Sequence, residues 1–366
     1  MSNEEIHGLA PDQPYIDGLP DEILEAVFLL NTVKEFIDQE LVHDPHQTTI
    51  STTLVCKRWY DVAHNFSPLW SHVIDYERHP PWWIEELLRR SKSFPIDVGD
   101  DSIMDHVRLF KPRGKTVLSH IFRNSSRLRS INLHITVSPW ELICEEFFQH
   151  PAPALEYLNL VTSTPFPDCL YPGPLFAHDA PRLRKFHLQR CLVDFSSPAL
   201  TNLTELSVRD ILAPPILSMR KPDHPLKVAP TVNGWLRILE QIPSLVYLIL
   251  GGAIPHSTNE EIPISKVNLS NLRFLSVAAR FPDGAALLSH LSMPPSCGIR
   301  LRFARPRFIS GTEGTELLSF LSGRLSSWPD QTPSRYLQAK ILSGDRIHFG
   351  NSRRIGHMWD MKESAM

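Results

Sequence analysis

Residues 153–160 read PALEYLNL. Leu158 and Leu160 are two residues apart, so in an extended chain their side chains share one face. Leu155, three residues earlier, begins the turn into that strand. Five further segments have the same eight-residue form: SRLRSINL (126–133), PRLRKFHL (181–188), TNLTELSV (201–208), PSLVYLIL (243–250) and SNLRFLSV (270–277). Their leading residues Leu128, Leu155, Leu183, Leu203, Leu245 and Leu272 are separated by 27, 28, 20, 42 and 27 residues. Helix-like stretches fall between them, at Trp140–Gln149, Trp235–Gln241 and Ala285–Leu291. A strand-plus-helix unit cannot bury its apolar face alone, whereas stacked parallel copies share one continuous core. The residues predict an α/β fold built on parallel strands. An α/β domain with several buried strands and no true repeat is the alternative that the same segments allow.

Four of the five intervals lie at or near the 20–29-residue leucine-rich-repeat period. The segments resemble a degenerate leucine-rich repeat over roughly residues 95–305. Pro95–Val98 and Gly298–Phe303 read as flanking members, and the Pro-rich Ala213–Pro230 as an insertion that accounts for the long interval. The resemblance implies a curved α/β solenoid with its strands on the concave side. The Asn or Cys that regularly closes such repeats is not regular here, although Cys191 follows Leu188 at a suitable distance. Residues 306–366 read as an irregular cap or tail, with a short helix near Glu316–Arg324 and one further strand or cap at Arg346–Phe349.

Ahead of the repeats, residues 16–30 read IDGLPDEILEAVFLL and residues 48–74 read TTISTTLVCKRWYDVAHNFSPLWSHVI. Pro20 suits a helix's first turn, and Asp21 and Glu22 suit the positive end of its macrodipole. Ile23, Leu24, Val27 and Phe28 then recur at helical spacing. Ile50, Leu54, Val55, Trp59, Val62 and Ala63 make a second stripe, ending at Asn65 before Ser67-Pro68-Leu69-Trp70. Amphipathicity alone fits any helical hairpin. The order of residue types is more specific, and the stretch resembles an F-box. The matching positions are Leu19, Pro20, Glu22, Ile23, Leu24, Val27, Phe28, Leu54, Val55, Cys56, Lys57, Arg58, Trp59, Ala63, Pro68, Leu69 and Trp70. The departure is the 40-residue interval from Leu19 to Trp59, set by a polar connector at Asn31–Thr49 and longer than in the shortest F-boxes. Large fungal F-box families carry such insertions.

The resemblances together predict a small helical F-box at 16–75 behind a disordered lead-in at 1–15, a linker helix at 76–94, and a leucine-rich-repeat-like domain at 95–305. The F-box resemblance implies docking to the Skp-family adaptor of a cullin–RING ubiquitin ligase. The implied contact residues are Leu19, Pro20, Ile23, Leu24, Leu54, Val55, Trp59, Leu69 and Trp70. The repeats would hold a protein substrate. A repeat scaffold unconnected to ubiquitin ligation is the alternative expectation.

Composition bounds these readings. Hydrophobic residues make up 42% and charged residues 21%, both near globular averages. The net charge of −3 argues against a broad electrostatic footprint for nucleic acid or an anionic membrane. The 32 prolines, against about 18 at ordinary usage, fit many short segments joined by turns. Five widely spaced cysteines with no C-x-x-C fit reduced thiols. The N-terminus is acidic and lacks an apolar core, and no apolar run approaches the ~20 residues of a membrane helix. A cytoplasmic or nuclear protein is expected.

No phosphate-loop, dinucleotide, nucleophile-elbow or zinc-protease motif occurs, so neither an enzyme nor a cofactor is expected. Gly311–Thr315 reads as a solvated turn. His43-Asp44-Pro45-His46 lacks further ligands at metal spacing. Asp97, Asp100, Asp101 and Asp105 read as a loop before a helix. Lys111–Lys115 and the trio Arg302, Arg305 and Arg307 read as surface charge, although either suits an anionic ligand. Trp82-Trp83 reads as packing of the linker helix, and Cys56 as a packing position rather than a nucleophile.

Overall fold

A computed structural model describes residues 18–33, 36–37, 40–41, 44–99, 107–109, 112–135, 138–163, 170–211, 229–255, 266–304, 337–341 and 346–349. The chain divides into two compact units at the Ile96/Asp97 boundary.

The first unit is helical. Helix α1 (Asp21–Leu30) starts behind Pro20 and carries Asp21 and Glu22 in its first turn. The connector holds a two-residue antiparallel ladder, β1 (Phe36–Ile37) with β2 (Glu40–Leu41). Helix α2 (Pro45–Thr53) is capped by Asp44, whose carboxylate accepts the backbone N–H groups of His46 (2.9 Å) and Gln47 (3.4 Å). Helices α3 (Lys57–Asn65), α4 (Ser67–His72) and α5 (Pro81–Arg90) follow.

The stripe expected to run unbroken from Ile50 to Asn65 is therefore two helices. Thr52 and Thr53 turn their hydroxyls back onto the carbonyls of Thr48 (2.8 Å) and Ile50 (2.7 Å), which competes with the helical ladder. The Leu54 and Val55 N–H groups then bond three residues back, and Cys56 is extended at φ −159°. Leu54, Val55 and Cys56 lie at this break and are exposed.

Leu24, Phe28, Val62, Ala63 and Leu69 form a core, with Leu19, Trp59 and Phe66 packed against it. Trp70 is fully buried and donates its indole N–H to the Ala63 carbonyl (2.8 Å). The Arg90 guanidinium lies 4.6 Å from the Trp70 ring centre and 5.4 Å from that of Trp83. Arg90 also donates to Glu86 Oε1 (2.7 Å), and Arg89 donates to both oxygens of the same carboxylate (2.7 Å each). These charge-assisted bonds hold the Glu86 carboxyl down at about 2.

The second unit is a parallel sheet. Its main path contains β3 (Ile96–Val98, at the unit boundary), β5 (Leu128–Ile135), β6 (Tyr157–Thr162), β8 (Lys185–Gln189), β10 (Glu205–Arg209), β11 (Tyr247–Gly251), β13 (Phe274–Arg280), β15 (Gly298–Ala304), β16 (Leu337–Ile341) and β17 (Arg346–Phe349), with β4 (Val107–Leu109) beside β5. Neighbours along the sheet follow chain order. Pairing is parallel from β5 to β16 and antiparallel for β16–β17.

All six eight-residue segments contribute strands to this sheet, and their register follows from aligning their sequences. Ile131, Leu158, Phe186, Leu206, Leu248, Leu275 and Ile299 form one ladder across seven strands. Leu133, Leu160, Leu188, Val208, Leu250, Val277 and Leu301 form the next. Both ladders and all six leading leucines are buried. Full burial of such a side chain stabilises by about 1.5–3 kcal/mol, and a one-residue slip would expose the whole set.

Helices α6 (Pro112–Phe122), α7 (Ser138–Leu142), α8 (Val232–Glu240) and α9 (Phe281–Ser289) connect these strands. The stretch expected as one helix from Trp140 to Gln149 changes to a π-helical turn over Ile143–Phe148. That wider turn lets consecutive Phe147 and Phe148 both bury, stacked on each other and edge-on to Phe176, with Phe147 also stacked on Phe122. The 20-residue interval has no room for a helix and carries a short 3₁₀ turn at Pro198–Leu200. Two short parallel ladders, β7 (Leu170–Tyr171) with β9 (Leu192–Val193) and β12 (Val267–Asn268) with β14 (Leu291–Ser292), lie outside the main sheet. The sheet runs on to Phe349, past the boundary expected at residue 305, because β16 extends it in register with β15. The lead-in, the helix expected near Glu316–Arg324, Gly311–Thr315, and Arg305 and Arg307 lie outside the described residues.

One turn recurs. Arg190, Asp210 and Gly252 each follow a strand and have φ of 61°, 53° and 58°. Their N–H groups donate to Arg209 (2.9 Å), Gly251 (2.7 Å) and Ala278 (2.8 Å) on the next strand. Only one of the three is glycine, so the turn leaves no composition signal.

Gly284 of α9 is buried, and a Cβ there would overlap the Phe303 ring. Gly284→Ala is expected to lower stability by about 1–3 kcal/mol, the usual cost of overpacking a filled core. Chemical denaturation checks this. A gain, as for an ordinary Gly→Ala change within a helix, would contradict the packing.

Candidate functional site

Two surfaces carry side chains suited to recognition. The first is on the helical unit. At about 100° per residue, Leu30, Ile23 and Val27 fall within about 60° of one another on α1, and Leu24 and Phe28 occupy the adjoining sector. The unit's core covers only the second group: Leu24 and Phe28 are each 1% exposed, against 48% for Ile23, 40% for Val27 and 70% for Leu30. Half of the apolar face of α1 therefore remains in solvent.

The remaining exposed large hydrophobic side chains among the described residues belong to the same unit. Val33, Leu54, Val55, Tyr60 and Trp82 complete the eight exposed large hydrophobic residues among those described, and none lies in the sheet unit. Single exposed apolar residues are ordinary on any surface. Eight confined to one small unit make its surface a candidate contact region. Arg58 ties α3 to the start of α1, donating to the Leu19 carbonyl and to Asp21 (2.7 Å). The Phe28 and Trp59 rings pack at 5.3 Å.

The nine residues implied as contacts divide by exposure. Pro20, Ile23, Leu54 and Val55 are exposed, and Leu19 and Trp59 are half-buried. Leu24, Leu69 and Trp70 are at most 1% exposed and serve the unit's own packing, so in this arrangement they present no surface to a partner. Val27, Leu30, Val33 and Tyr60 join the exposed set. Val27 was on the stripe read from the sequence; Leu30 lies three residues beyond it, a helical spacing that the stripe left out, and Val33 and Tyr60 had no signal.

The other candidates of this unit have structural partners. Asp44 of His43–His46 caps α2, and the Nε2 of His46 accepts the Trp83 indole N–H (2.9 Å). The His46 and His79 rings meet at 4.2 Å, and the Nδ1 of His79 accepts the Asp75 N–H (3.1 Å). Burial lowers the His46 pKa, against smaller opposing effects of the Asp44 and Asp75 carboxylates. A lowered histidine pKa means that the unfolded chain takes up the proton first. The stabilisation is thus complete above the unfolded value of about 6.5 and declines as pH falls through it. His46→Gln, which keeps an acceptor for Trp83 but does not titrate there, is expected to lose less stability than wild type between about pH 7.5 and 5.5. Denaturation at the two pH values measures this; an equal loss in both proteins would contradict it.

Cys56 is exposed at the α2–α3 break rather than packed on a stripe. Trp82 is 68% exposed, while Trp83 is half-buried. Lys111 lies outside the described residues, and Arg113 and Lys115 are exposed on α6. Asp97 receives the Arg129 guanidinium (Nε at 3.0 Å); Asp100, Asp101 and Asp105 lie outside the described residues. Among the described residues no group of three or more His, Cys, Asp or Glu is arranged to hold a metal ion, and no helix is long and apolar enough to cross a membrane.

The second surface is the sheet face opposite the leucine ladders. Its central row, in register, is Asn132, Asn159, His187, Ser207, Ile249, Ser276 and Arg300. The β5–β10 part is polar yet enclosed: Asn159 donates to Asn132 (2.8 Å), and Asn132, Asn159, Tyr157 and Ser207 are buried. His187 packs edge-on to Tyr157 at 5.4 Å and lies 3.6 Å from Glu205. The β10–β15 part is more open, with Arg209, Ile249, Gly251, Ser276, Ala278 and Arg302 half-buried.

No family model matches the chain, and no curated protein matches it in sequence.

Proposed function

We propose that the chain is a substrate-recognition adaptor of a cullin–RING ubiquitin ligase. The helical unit is read as an F-box that docks a Skp-family adaptor, and the sheet unit as a degenerate leucine-rich-repeat array that presents a protein substrate. The observation that carries this reading is that, among the described residues, all eight exposed large hydrophobic side chains belong to the unit whose residue order resembles an F-box. Ile23, Val27, Leu54 and Val55 belong both to that set and to the resemblance. The chain-order parallel strands at repeat-like spacing support the second half.

The physics is helix-in-groove association. A rigid helix offers apolar anchors to a partner pocket, and a few fully desolvated anchors supply most of the affinity. Arg58 holds α1 against α3, so the two parts of the stripe are presented together. In this reading the chain performs no chemistry of its own. It raises the effective concentration of a substrate beside the ligase's catalytic subunits, and it works in the cytoplasm or nucleus.

Co-expression with a Skp-family adaptor tests the reading. A complex that survives size-exclusion chromatography is expected. A chain that folds yet elutes alone would replace it with a repeat scaffold unconnected to ubiquitin ligation.

A further inference from the structure

On the sheet face opposite the leucine ladders, charge is unevenly placed. Register sets Arg209, Gly251, Ala278 and Arg302 in one row across β10, β11, β13 and β15. The adjoining row is Ser207, Ile249, Ser276 and Arg300. Arg280 follows two residues beyond Ala278 on the same face and is exposed. The facing positions of β11, β13 and β15 contain no carboxylate. Among the described residues the acids at this part of the face are Glu205 of β10, 3.6 Å from His187 on the β8 side, and Asp210 at the end of β10, whose carboxylate is turned to the β8 side and accepts from the Gln189 amide (2.8 Å).

Gly251 and Ala278 give the row a low floor. Arg209 leans across Gly251, its Cγ 3.7 Å from where a Cβ would stand. Ile249 and Tyr247 make an apolar margin one and two steps back along β11 from Gly251. Arg209 and Arg302 are three strand steps apart, about 14 Å at ~4.8 Å per step, which an extended peptide covers in about four residues. Side chains at i, i+2 and i+4 of such a peptide share one face. A carboxylate at each end would meet an arginine, and an apolar side chain between them would settle over Gly251, Ala278 and Ile249. Each guanidinium has five N–H donors, so an intramolecular partner leaves donors for a ligand.

We propose that this row binds an extended acidic segment of a partner protein, with two carboxylates flanking an apolar side chain. The proposal rests on the reading of the sheet unit as the substrate-presenting part and names the chemistry of that substrate.

The test uses the full chain without any adaptor and a fluorescein-labelled peptide containing Glu-Gly-Leu-Gly-Glu. Fluorescence anisotropy is expected to show saturable binding that weakens between about 50 and 200 mM salt as screening increases. The Gln-Gly-Leu-Gly-Gln peptide is expected to lose it. Arg209→Gln and Arg302→Gln should each weaken binding about tenfold, the loss of one charge-assisted contact, in chains whose thermal unfolding matches wild type. Equal binding of the Glu and Gln peptides would overturn the proposal, and this comparison needs no variant. Tighter binding of a single-stranded oligonucleotide than of the Glu peptide would also overturn it, in favour of a general polyanion surface. Adaptor co-purification without peptide binding would sink this proposal alone; peptide binding without adaptor co-purification would sink the ligase reading and leave this one standing.

Discussion

Trp235→Ala is expected to destabilise the sheet unit by about 3–5 kcal/mol, the range for emptying a buried tryptophan site. Trp235 of α8 is fully buried, donates its indole N–H to the Ala253 carbonyl (3.0 Å) and packs on Phe195 at 5.1 Å. Truncation removes the ring contacts and deprives that carbonyl of its donor, an additional cost of about 1–3 kcal/mol if no water replaces it. Domains are typically stable by only about 5–15 kcal/mol, so the variant approaches the unfolding limit. Trp235→Phe, which keeps most of the apolar volume, should fall between the two. Urea denaturation followed by circular dichroism checks the series. A loss under about 1 kcal/mol for the alanine variant would contradict the packing of α8 described above.

The second large effect concerns binding and leaves folding intact. Ile23→Asp combined with Leu54→Asp should weaken Skp-adaptor binding by at least about 30-fold, as expected when interface anchors worth about 2 kcal/mol or more are lost. Both side chains are exposed, at 48% and 77%, so unfolding should shift by no more than about 0.5 kcal/mol per site. Leu24→Asp, one residue along the same helix, is expected to unfold the unit, because it places a carboxylate in the core beside Phe28 and Leu69. Surface plasmon resonance on the immobilised adaptor, paired with thermal unfolding, separates the outcomes. Undiminished binding by the double variant would move the contact surface elsewhere.

The contrast between Ile23 and Leu24 shows what the amino-acid sequence discloses. Period-two placement made the strands legible, and alignment of the six segments reproduced the register of Ile131 through Leu275. Cross-strand packing of identical positions leaves no other pairing that buries both ladders. The α2–α3 break was not legible, because Leu54 and Val55 keep helical spacing while Thr52 and Thr53 end the helix through side-chain bonds that hydrophobicity does not encode. The recurring turn was hidden because Arg190 and Asp210 hold a left-handed conformation usually signalled by glycine. Helix α6 was read only as a basic spot, since Pro112 and Gly114 mask its apolar face. Leu69 and Trp70 matched the resemblance as contacts, yet their burial shows that one motif mixes packing residues with surface ones. Exposure, a three-dimensional quantity, is what sorts them.

Titration calorimetry of purified Skp-family adaptor into the full chain tests the central claim most directly. Saturable one-to-one binding with a negative heat-capacity change, the mark of apolar surface removed from water, is expected, weakened at least about 30-fold by the Ile23→Asp/Leu54→Asp pair. A folded wild-type chain that gives no binding heat at any temperature, and does not co-elute with the adaptor, would contradict it.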